Sequence, residues 1–203
     1  MAFSISQNLP NQEHKVLNRD FKMTEIEDKL KECFRTAERN EKEGIKHKGL
    51  LARSPNQEEA KGYTEKAKKE LELCAFYKDK GFDYKLPEEW FYILYYCAIA
   101  ILCKFGVESR SQKYTALFLK YVKEKGIIGY DDELIERITV HVKKDEESDV
   151  DKREEARYSP LIKMEKVEKE YCSMTEVCKR AISQCEEIVF SASEFKLPKE
   201  LFE

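Results

Sequence analysis

The segment from Gly106 to Thr115 concentrates side chains whose types could bind a charged ligand. It lies between two predicted core helices and carries Glu108, Arg110, Gln112, Lys113 and Tyr114. A fork-shaped guanidinium beside an amide side chain at a helix N-terminus suits phosphate oxygens and the edges of bases. These five residues therefore predict a nucleotide- or RNA-binding site, although ordinary ion pairs at helix ends would produce the same pattern.

A second basic cluster lies in the stretch Arg-Glu-Glu-Ala-Arg-Tyr, which ends at Tyr158. Arg153 and Arg157 are four positions apart, so both project from one face of a helix. We expect these two arginines and Tyr158 to contribute to nucleotide or RNA binding, and we expect Arg110, Gln112 and Arg157 to converge. Ion-paired helix ends are again the alternative.

Arg137 and His141 are the candidate catalytic residues. They are four positions apart on a predicted helix, and His141 falls on its apolar side. His141 would act as general acid or base, while Arg137 or Arg110 would stabilise a phosphate. The alternative is a half-buried histidine with no chemical role.

The cysteines and glycines form no recognisable metal or phosphate motif. Cys172, Cys178 and Cys185 are spaced by six and seven positions, whereas zinc sites typically include tighter ligand pairs. No C-x-x-C pair occurs, and neither G-x-x-x-x-G-K nor G-x-G-x-x-G is present. We therefore expect free, mostly buried thiols, no metal and no cofactor.

The composition favours a helical protein. The 203 residues include only 7 Gly and 5 Pro, which leaves little turn chemistry for an all-β fold. The formal net charge is −3, so RNA contact would need a local basic site. The N-terminus lacks the apolar core of a signal peptide, and the apolar run from Trp90 to Cys103 is shorter than the roughly 18–20 residues that span a bilayer. We therefore expect a cytoplasmic protein without a membrane segment.

Caps and apolar stripes predict the helices. Capping boxes begin at Thr24 and Ser173, Ser54 is the expected cap of the second helix, and Ser111 is that of the fourth. The stretch that starts at Trp90 is apolar on all sides, which is typical of a central helix. Together these signals predict an all-α, antiparallel up-and-down bundle of about five to six helices.

The two chain ends lack these signals. Residues 1–22 are polar and aperiodic, so we expect a flexible arm there. Residues 23–193 contain all the predicted helices and form the expected bundle. Residues 194–203 are expected to be a loose tail.

Three blocks of the sequence resemble the HEPN superfamily, especially its small stand-alone bacterial and archaeal members. The first is Ala-Lys-Lys-Glu-Leu-Glu-Leu, which begins at Ala67. The second, from Trp90 to Gly106, is similar to the family's core helix, YYAxxHAxxALLxxxG, and continues into Glu-Ser-Arg-Ser-Gln. The third, which begins at Arg153, is similar to the family's Arg-x-x-Ala-x-Tyr-Gly block.

The resemblance implies an up-and-down helical bundle that usually forms a homodimer. Some members are metal-independent ribonucleases, often toxins, that use an Arg-x4–6-His motif, and others bind nucleotide or substrate beside a minimal nucleotidyltransferase. Here only three residues separate Arg137 from His141, and Gln112 stands where many members have a histidine. Glutamine cannot transfer a proton, but it can hydrogen-bond a base edge or a phosphate oxygen.

Three hypotheses follow from the residues and the resemblance. The leading one is a homodimeric nucleotide- or RNA-binding protein of HEPN type, with a minimal nucleotidyltransferase as its candidate partner. The enzyme alternative is a metal-independent ribonuclease that uses Arg137 and His141. The third is a helical protein-interaction module that binds neither nucleotide nor RNA.

Overall fold

The chain folds into an all-α helical bundle with one short β-ribbon. The computed structural model describes residues 11–139, 152–154 and 164–203, with backbone only for residues 11–22, 164 and 166. This architecture confirms the predicted fold class. The elements are α1 (Asn11–Lys42), β1 (Leu50–Ala52), α2 (Gln57–Asp79), α3 (Leu86–Phe105), β2 (Val107–Ser109), α4 (Gln112–Glu124), α5 (Asp132–Arg137) and α6 (Met164–Val189), with 3-10 turns at Asp83–Lys85 and Lys199–Leu201.

Helix α3 forms the centre of the bundle because it is apolar on every side. Helices α2, α4 and α6 pack around it, and full burial of each large apolar side chain contributes roughly 1.5–3 kcal/mol. The segment Asp83–Phe105 is apolar and long enough to cross a membrane, but 72% of its most apolar window is buried inside the protein. The apolar pattern therefore reflects a core position, as predicted. The buried residues of α3 are Leu86, Trp90, Phe91, Ile93, Leu94, Cys97, Ala98, Ile99, Ala100, Ile101, Leu102, Cys103 and Phe105.

Small side chains let α2 approach its neighbours closely. Ala60, Thr64, Ala67 and Cys74 are buried along one face of the helix. The Thr64 hydroxyl donates to the Ala60 carbonyl at 2.9 Å, and its oxygen lies 3.6 Å from the Cys185 thiol of α6. Six of the seven cysteines are buried free thiols, which confirms the expectation that the thiols are free and mostly buried. In the described parts of the chain, no three His, Cys, Asp or Glu side chains are grouped so as to hold a metal ion.

Two of the four predicted helix starts need correction, and one moves by two residues. Helix α1 begins at Asn11, so Thr24 lies inside it. Ser173 lies inside α6, because its hydroxyl donates to the Glu170 carbonyl at 2.9 Å, one turn back. The cap of α2 is Asn56 rather than Ser54, since the Asn56 side chain accepts from the Glu59 amide at 3.0 Å. Ser111 caps α4 as predicted.

The two-stranded ribbon was not predicted from the sequence. Strands β1 and β2 pair antiparallel, with Leu50 opposite Ser109 and Ala52 opposite Val107. Gly106 makes the pairing possible. Its φ of 74° is left-handed, and this conformation ends α3 and directs the following residues of β2 towards β1. A Cβ atom at Gly106 would lie 2.4 Å from the Arg53 carbonyl oxygen, so the closeness of the ribbon to α3 requires glycine.

The C-terminal segment packs on the bundle instead of forming a loose tail. Leu201 is only 2% exposed, and the Phe202 ring lies 5.2 Å from Phe34 of α1. The Phe195 ring lies 5.0 Å from Phe105 at the end of α3. These apolar anchors explain the difference from the expectation, which rested on the absence of helical periodicity.

A carboxyl pair lies between α2 and α3 at the end remote from the ribbon. Burial, together with the charge and hydrogen bond of Glu70, raises the pKa of Glu89 from 4.5 to about 7. The folded protein therefore binds this proton more tightly than the unfolded chain does. The bound proton therefore stabilises the folded protein fully below pH 4.5, and this contribution is lost as the pH rises through about 7.

We expect Gly106→Ala to destabilise the protein much more than Gly126→Ala. Both glycines have a φ above +70°, so alanine is strained at either position by roughly 1–2 kcal/mol. Only Gly106 also faces backbone atoms closer than 3 Å to the new methyl group. In urea denaturation, the decrease in the free energy of unfolding should therefore be at least about 2 kcal/mol larger for Gly106→Ala than for Gly126→Ala. Equal losses would contradict the close packing of the ribbon.

We expect Glu89→Gln to raise the free energy of unfolding at pH 8 and to leave it nearly unchanged at pH 4.5. The substitution removes the charge repulsion with Glu70 that develops above the raised pKa of Glu89. Denaturation between pH 4.5 and pH 8 checks this, with the exposed Glu187→Gln as control. If the free energy of unfolding changed with pH in the same way in both variants, the Glu70–Glu89 pair would have no effect on stability.

Candidate functional site

Glu108 is the centre of a charged cluster on the ribbon. It accepts hydrogen bonds from Arg53 Nε at 3.0 Å and from Arg110 Nε at 2.8 Å. Its Oε1 atom also lies 3.2 Å from His47 Nε2. Arg53 extends the cluster to α1, where its Nη1 atom donates to Glu41 at 3.0 Å. We call these five residues the Glu108 cluster.

The ribbon register brings the Glu108 cluster together. Glu108 of β2 lies opposite Leu51 of β1. Arg53 continues β1 and donates its backbone amide to the Gly106 carbonyl at 2.7 Å, while Arg110 continues β2 and donates to the Gly49 carbonyl at 3.0 Å. The two arginines therefore flank the carboxylate from opposite strands.

The charges of the cluster fix the protonation state of Glu108. Burial raises its pKa, but the hydrogen bonds of Arg53 and His47 and the charge of Arg110 together lower it below the usual 4.5. Glu108 is therefore an ionised acceptor at neutral pH and not a proton donor. His47 is 4% exposed, and its Nδ1 atom has no hydrogen-bond partner.

A cavity of about 290 Å³ lies beside the Glu108 cluster, between the ribbon and the α2–α3 hairpin. We call it the ribbon cavity. Tyr63 of α2 lines one side, and its ring stacks on Tyr96 of α3 with centroids 6.1 Å apart. Ile99 and Cys103 add apolar lining, and Ser109 adds a hydroxyl group. The lining residues are Arg53, Ser54, Asn56, Glu59, Tyr63, Ile99, Cys103, Gly106, Val107, Glu108 and Ser109.

Beyond the cavity, three hydroxyl groups and Arg153 lie near one another. The Ser109 and Thr115 hydroxyl oxygens are 2.7 Å apart, and both donate to the Ser111 carbonyl, at 3.2 Å and 2.9 Å. Both side chains also lower the pKa of the nearby Tyr95 hydroxyl, which partly offsets the rise caused by burial. The Tyr95 ring stacks on Phe91 with centroids 5.8 Å apart. Arg153 lies over the Phe91 ring, with its Cζ atom 4.6 Å from the centroid. We call Tyr95, Ser109 and Thr115 the hydroxyl cluster.

Gln112, Lys113 and Tyr114, which were also predicted to bind nucleotide, do not line the ribbon cavity. The Gln112 amide donates to the Ile138 carbonyl at 3.1 Å, which ties the start of α4 to the end of α5. Lys113 lines a groove between α1 and α4, and its ammonium lies 5.5 Å from the Tyr114 ring centroid. Of the predicted binding residues, Glu108 and Arg110 belong to the Glu108 cluster and contact each other directly.

Arg137 is held on its own helix. Its Nε atom donates to Glu133 at 3.1 Å, and its Nη1 atom contacts the Met174 sulfur of α6 at 3.3 Å. His141, Arg157 and Tyr158 lie outside the described residues. The predicted pair of Arg137 with His141 and the predicted convergence of Arg110, Gln112 and Arg157 therefore remain predictions.

Sequence reasoning missed Arg53, His47, Tyr63, Tyr95 and Ser109. Each is an ordinary helix or loop residue in the sequence, and only the ribbon and the α2–α3 hairpin bring them together. Tyr95 and Tyr63 carried a weak signal, because polar-tipped aromatic rings at the edge of an apolar stripe usually find a partner or a ligand.

The side chains that line the ribbon cavity offer binding contacts rather than an activated nucleophile. Burial raises the pKa of the Cys103 thiol to about 12, so the nucleophilic thiolate is almost absent at neutral pH. Glu108 is ionised and paired, and no histidine is among the residues that line the cavity. The lining offers a stacking surface at Tyr63, the hydroxyl groups of Ser54 and Ser109 and the guanidinium group of Arg53.

Comparison of the chain with protein-family models, curated proteins and solved structures gave no match. The HEPN resemblance therefore rests on the three sequence blocks alone, and the function is inferred from the site.

We expect Cys172 to be the one cysteine that thiol reagents modify quickly in the native protein. It is the exposed cysteine among the seven, whereas burial both shields Cys103 and raises the pKa of its thiol to about 12. Reaction with a disulfide reagent at pH 7.5 should give one fast equivalent, with the remaining thiols at least about 100-fold slower. The variant Cys172→Ser should lose the fast phase. Fast labelling of Cys103 in that variant would mean that the cavity holds a reactive thiol.

Proposed function

We propose that this protein binds a nucleotide or RNA at the ribbon cavity. The observation that carries the proposal is the position of Tyr63, which lines the cavity and stacks on Tyr96 behind it. Any of the bases can stack on a tyrosine ring, and each such contact contributes roughly 1–3 kcal/mol to the binding free energy. Ile99 and Cys103 add apolar surface to the same space.

The rim supplies polar contacts that suit the rest of a nucleotide. Arg53 and Arg110 remain partly exposed, so their outer N–H groups can reach a phosphate or a base edge. Glu108 holds both guanidinium groups in place before a ligand arrives, which lowers the entropy lost on binding. As an ionised acceptor it can also accept a hydrogen bond from a ribose hydroxyl.

The HEPN resemblance extends this proposal. On that basis the protein is a cytoplasmic homodimer that lacks the Arg-x4–6-His ribonuclease motif and works beside a minimal nucleotidyltransferase. Purified protein should then run as a dimer in sedimentation. The ribonuclease alternative depends on His141, and the cavity itself supports binding better than cleavage.

We expect Tyr63→Leu to weaken nucleotide and RNA binding by about tenfold, because it removes the stacking surface but keeps an apolar side chain. Fluorescence anisotropy of a labelled single-stranded RNA at fixed low salt measures the affinity. Tyr171→Leu is the matched control, since Tyr171 is a half-buried tyrosine that packs on Trp90 away from the cavity. Its affinity should equal that of the unmodified protein.

Three outcomes would count against the proposal. A flat titration of the unmodified protein with nucleotides and short RNAs would favour the helical interaction module. Equal loss of affinity in Tyr63→Leu and Tyr171→Leu would place the contact elsewhere on the surface. Cleavage of the RNA in the presence of EDTA would favour the ribonuclease alternative.

A further inference from the structure

Arg153 has binding capacity that its contacts within the described chain do not use. Its side chain is 19% exposed, and its Nη2 atom lies 3.2 Å from Glu154, which is 58% exposed. The Arg153 Nε atom is buried and has no hydrogen-bond partner. A buried N–H group without a partner is uncommon in folded proteins and often indicates that something else accepts its hydrogen bond.

The stacking on Phe91 fixes where the Arg153 guanidinium lies. Its Cζ atom is 4.6 Å from the Phe91 centroid, and Phe91 is in turn stacked on Tyr95 with an interplanar angle of 15°. Burial raises the pKa of Tyr95 above its usual value, and the nearby Thr115 and Ser109 side chains and the positive charge of Arg153 only partly offset that rise. Arg153 is therefore close enough for its charge to act on the hydroxyl cluster.

The start of α4 adds further positive potential at the hydroxyl cluster. Ser109 Oγ accepts from the Ser111 amide at 3.3 Å, and Ser111 is the N-cap of α4. The N-terminus of this helix carries partial positive charge and unpaired backbone amides. The hydroxyl groups of Ser109 and Thr115 thus lie at the N-terminus of α4.

Ser109 also connects this region with the ribbon cavity. Its side chain lines the cavity beside Tyr63, and it also lies close enough to the Tyr95 hydroxyl to lower the pKa of that group. A ligand whose base stacks on Tyr63 would therefore extend past Ser109 towards Arg153.

We infer that Arg153 and the hydroxyl cluster form a subsite for the phosphate group of a nucleotide whose base occupies the ribbon cavity. This inference rests on the proposed function. A guanidinium fork, several hydroxyl groups and a helix N-terminus together match a tetrahedral oxyanion. The weak surface ion pair with Glu154 is readily replaced by a phosphate dianion.

The test compares the four ribonucleosides with their 5′-monophosphates by isothermal titration calorimetry at fixed salt. The unmodified protein should bind at least one monophosphate about tenfold more tightly than its nucleoside, which corresponds to roughly 1.4 kcal/mol. Arg153→Gln should abolish this difference by weakening the monophosphate alone. Arg153→Lys, which keeps the charge but loses the fork, should retain part of the difference.

Two further variants make the test independent of folding defects. Ser109→Ala removes a hydroxyl group of the subsite without touching Arg153, and it should also reduce the preference for the monophosphate. Arg35→Gln is the matched control, because Arg35 is an exposed arginine of α1 paired with Glu32. Its preference should be unchanged.

The outcomes separate this inference from the proposed function. Nucleoside binding that persists without any preference for the monophosphate would overturn the phosphate subsite and leave the cavity proposal standing. An equal preference in Arg153→Gln and the unmodified protein would also overturn it. Absence of binding for both nucleosides and monophosphates would overturn the proposed function and the subsite together.

Discussion

Burial of α3 on every side is the constraint on which the rest of the structure depends. A helix without a polar face must be surrounded, so α2, α4 and α6 enclose it. When the chain leaves α3 it has to turn at once, and Gly106 provides that turn in a left-handed conformation. The turn places β2 directly against β1 and so creates the ribbon. The cavity exists because the ribbon and the α2–α3 hairpin meet at this end of the core.

The charged side chains are arranged in pairs and not as a uniform basic surface. The net charge is −3, and each guanidinium at the site has a carboxylate partner, with Arg53 and Arg110 both bound to Glu108. Such pairs suppress general attraction to nucleic acid, because each positive charge is already partly neutralised. If the ribbon cavity binds a nucleotide as proposed, the specificity for that ligand depends on stacking and on the few N–H groups that point outwards. This favours a small ligand or a short single-stranded segment over a long duplex.

The sequence predicted the bundle better than the site. Apolar stripes, Ser111 as a cap and the all-round apolar helix at Trp90 all proved correct, because they depend on local periodicity. Thr24 and Ser173 failed as helix starts because a hydroxyl group can also bond one turn back inside a helix, as Ser173 does. The three-residue strands are too short to show alternation. Arg53 and Tyr63 therefore could not be linked to Glu108 without the register of the ribbon.

The Arg53–Glu41 contact has a consequence for the chain as a whole. The contact connects Arg53, which lines the cavity, with Glu41 of α1. The apolar lining of the cavity belongs to α2 and α3. A ligand that touches both Arg53 and this lining would add a further connection between α1 and the α2–α3 hairpin. By thermodynamic linkage, occupancy of the cavity and the folding of the C-terminal end of α1 must then stabilise each other.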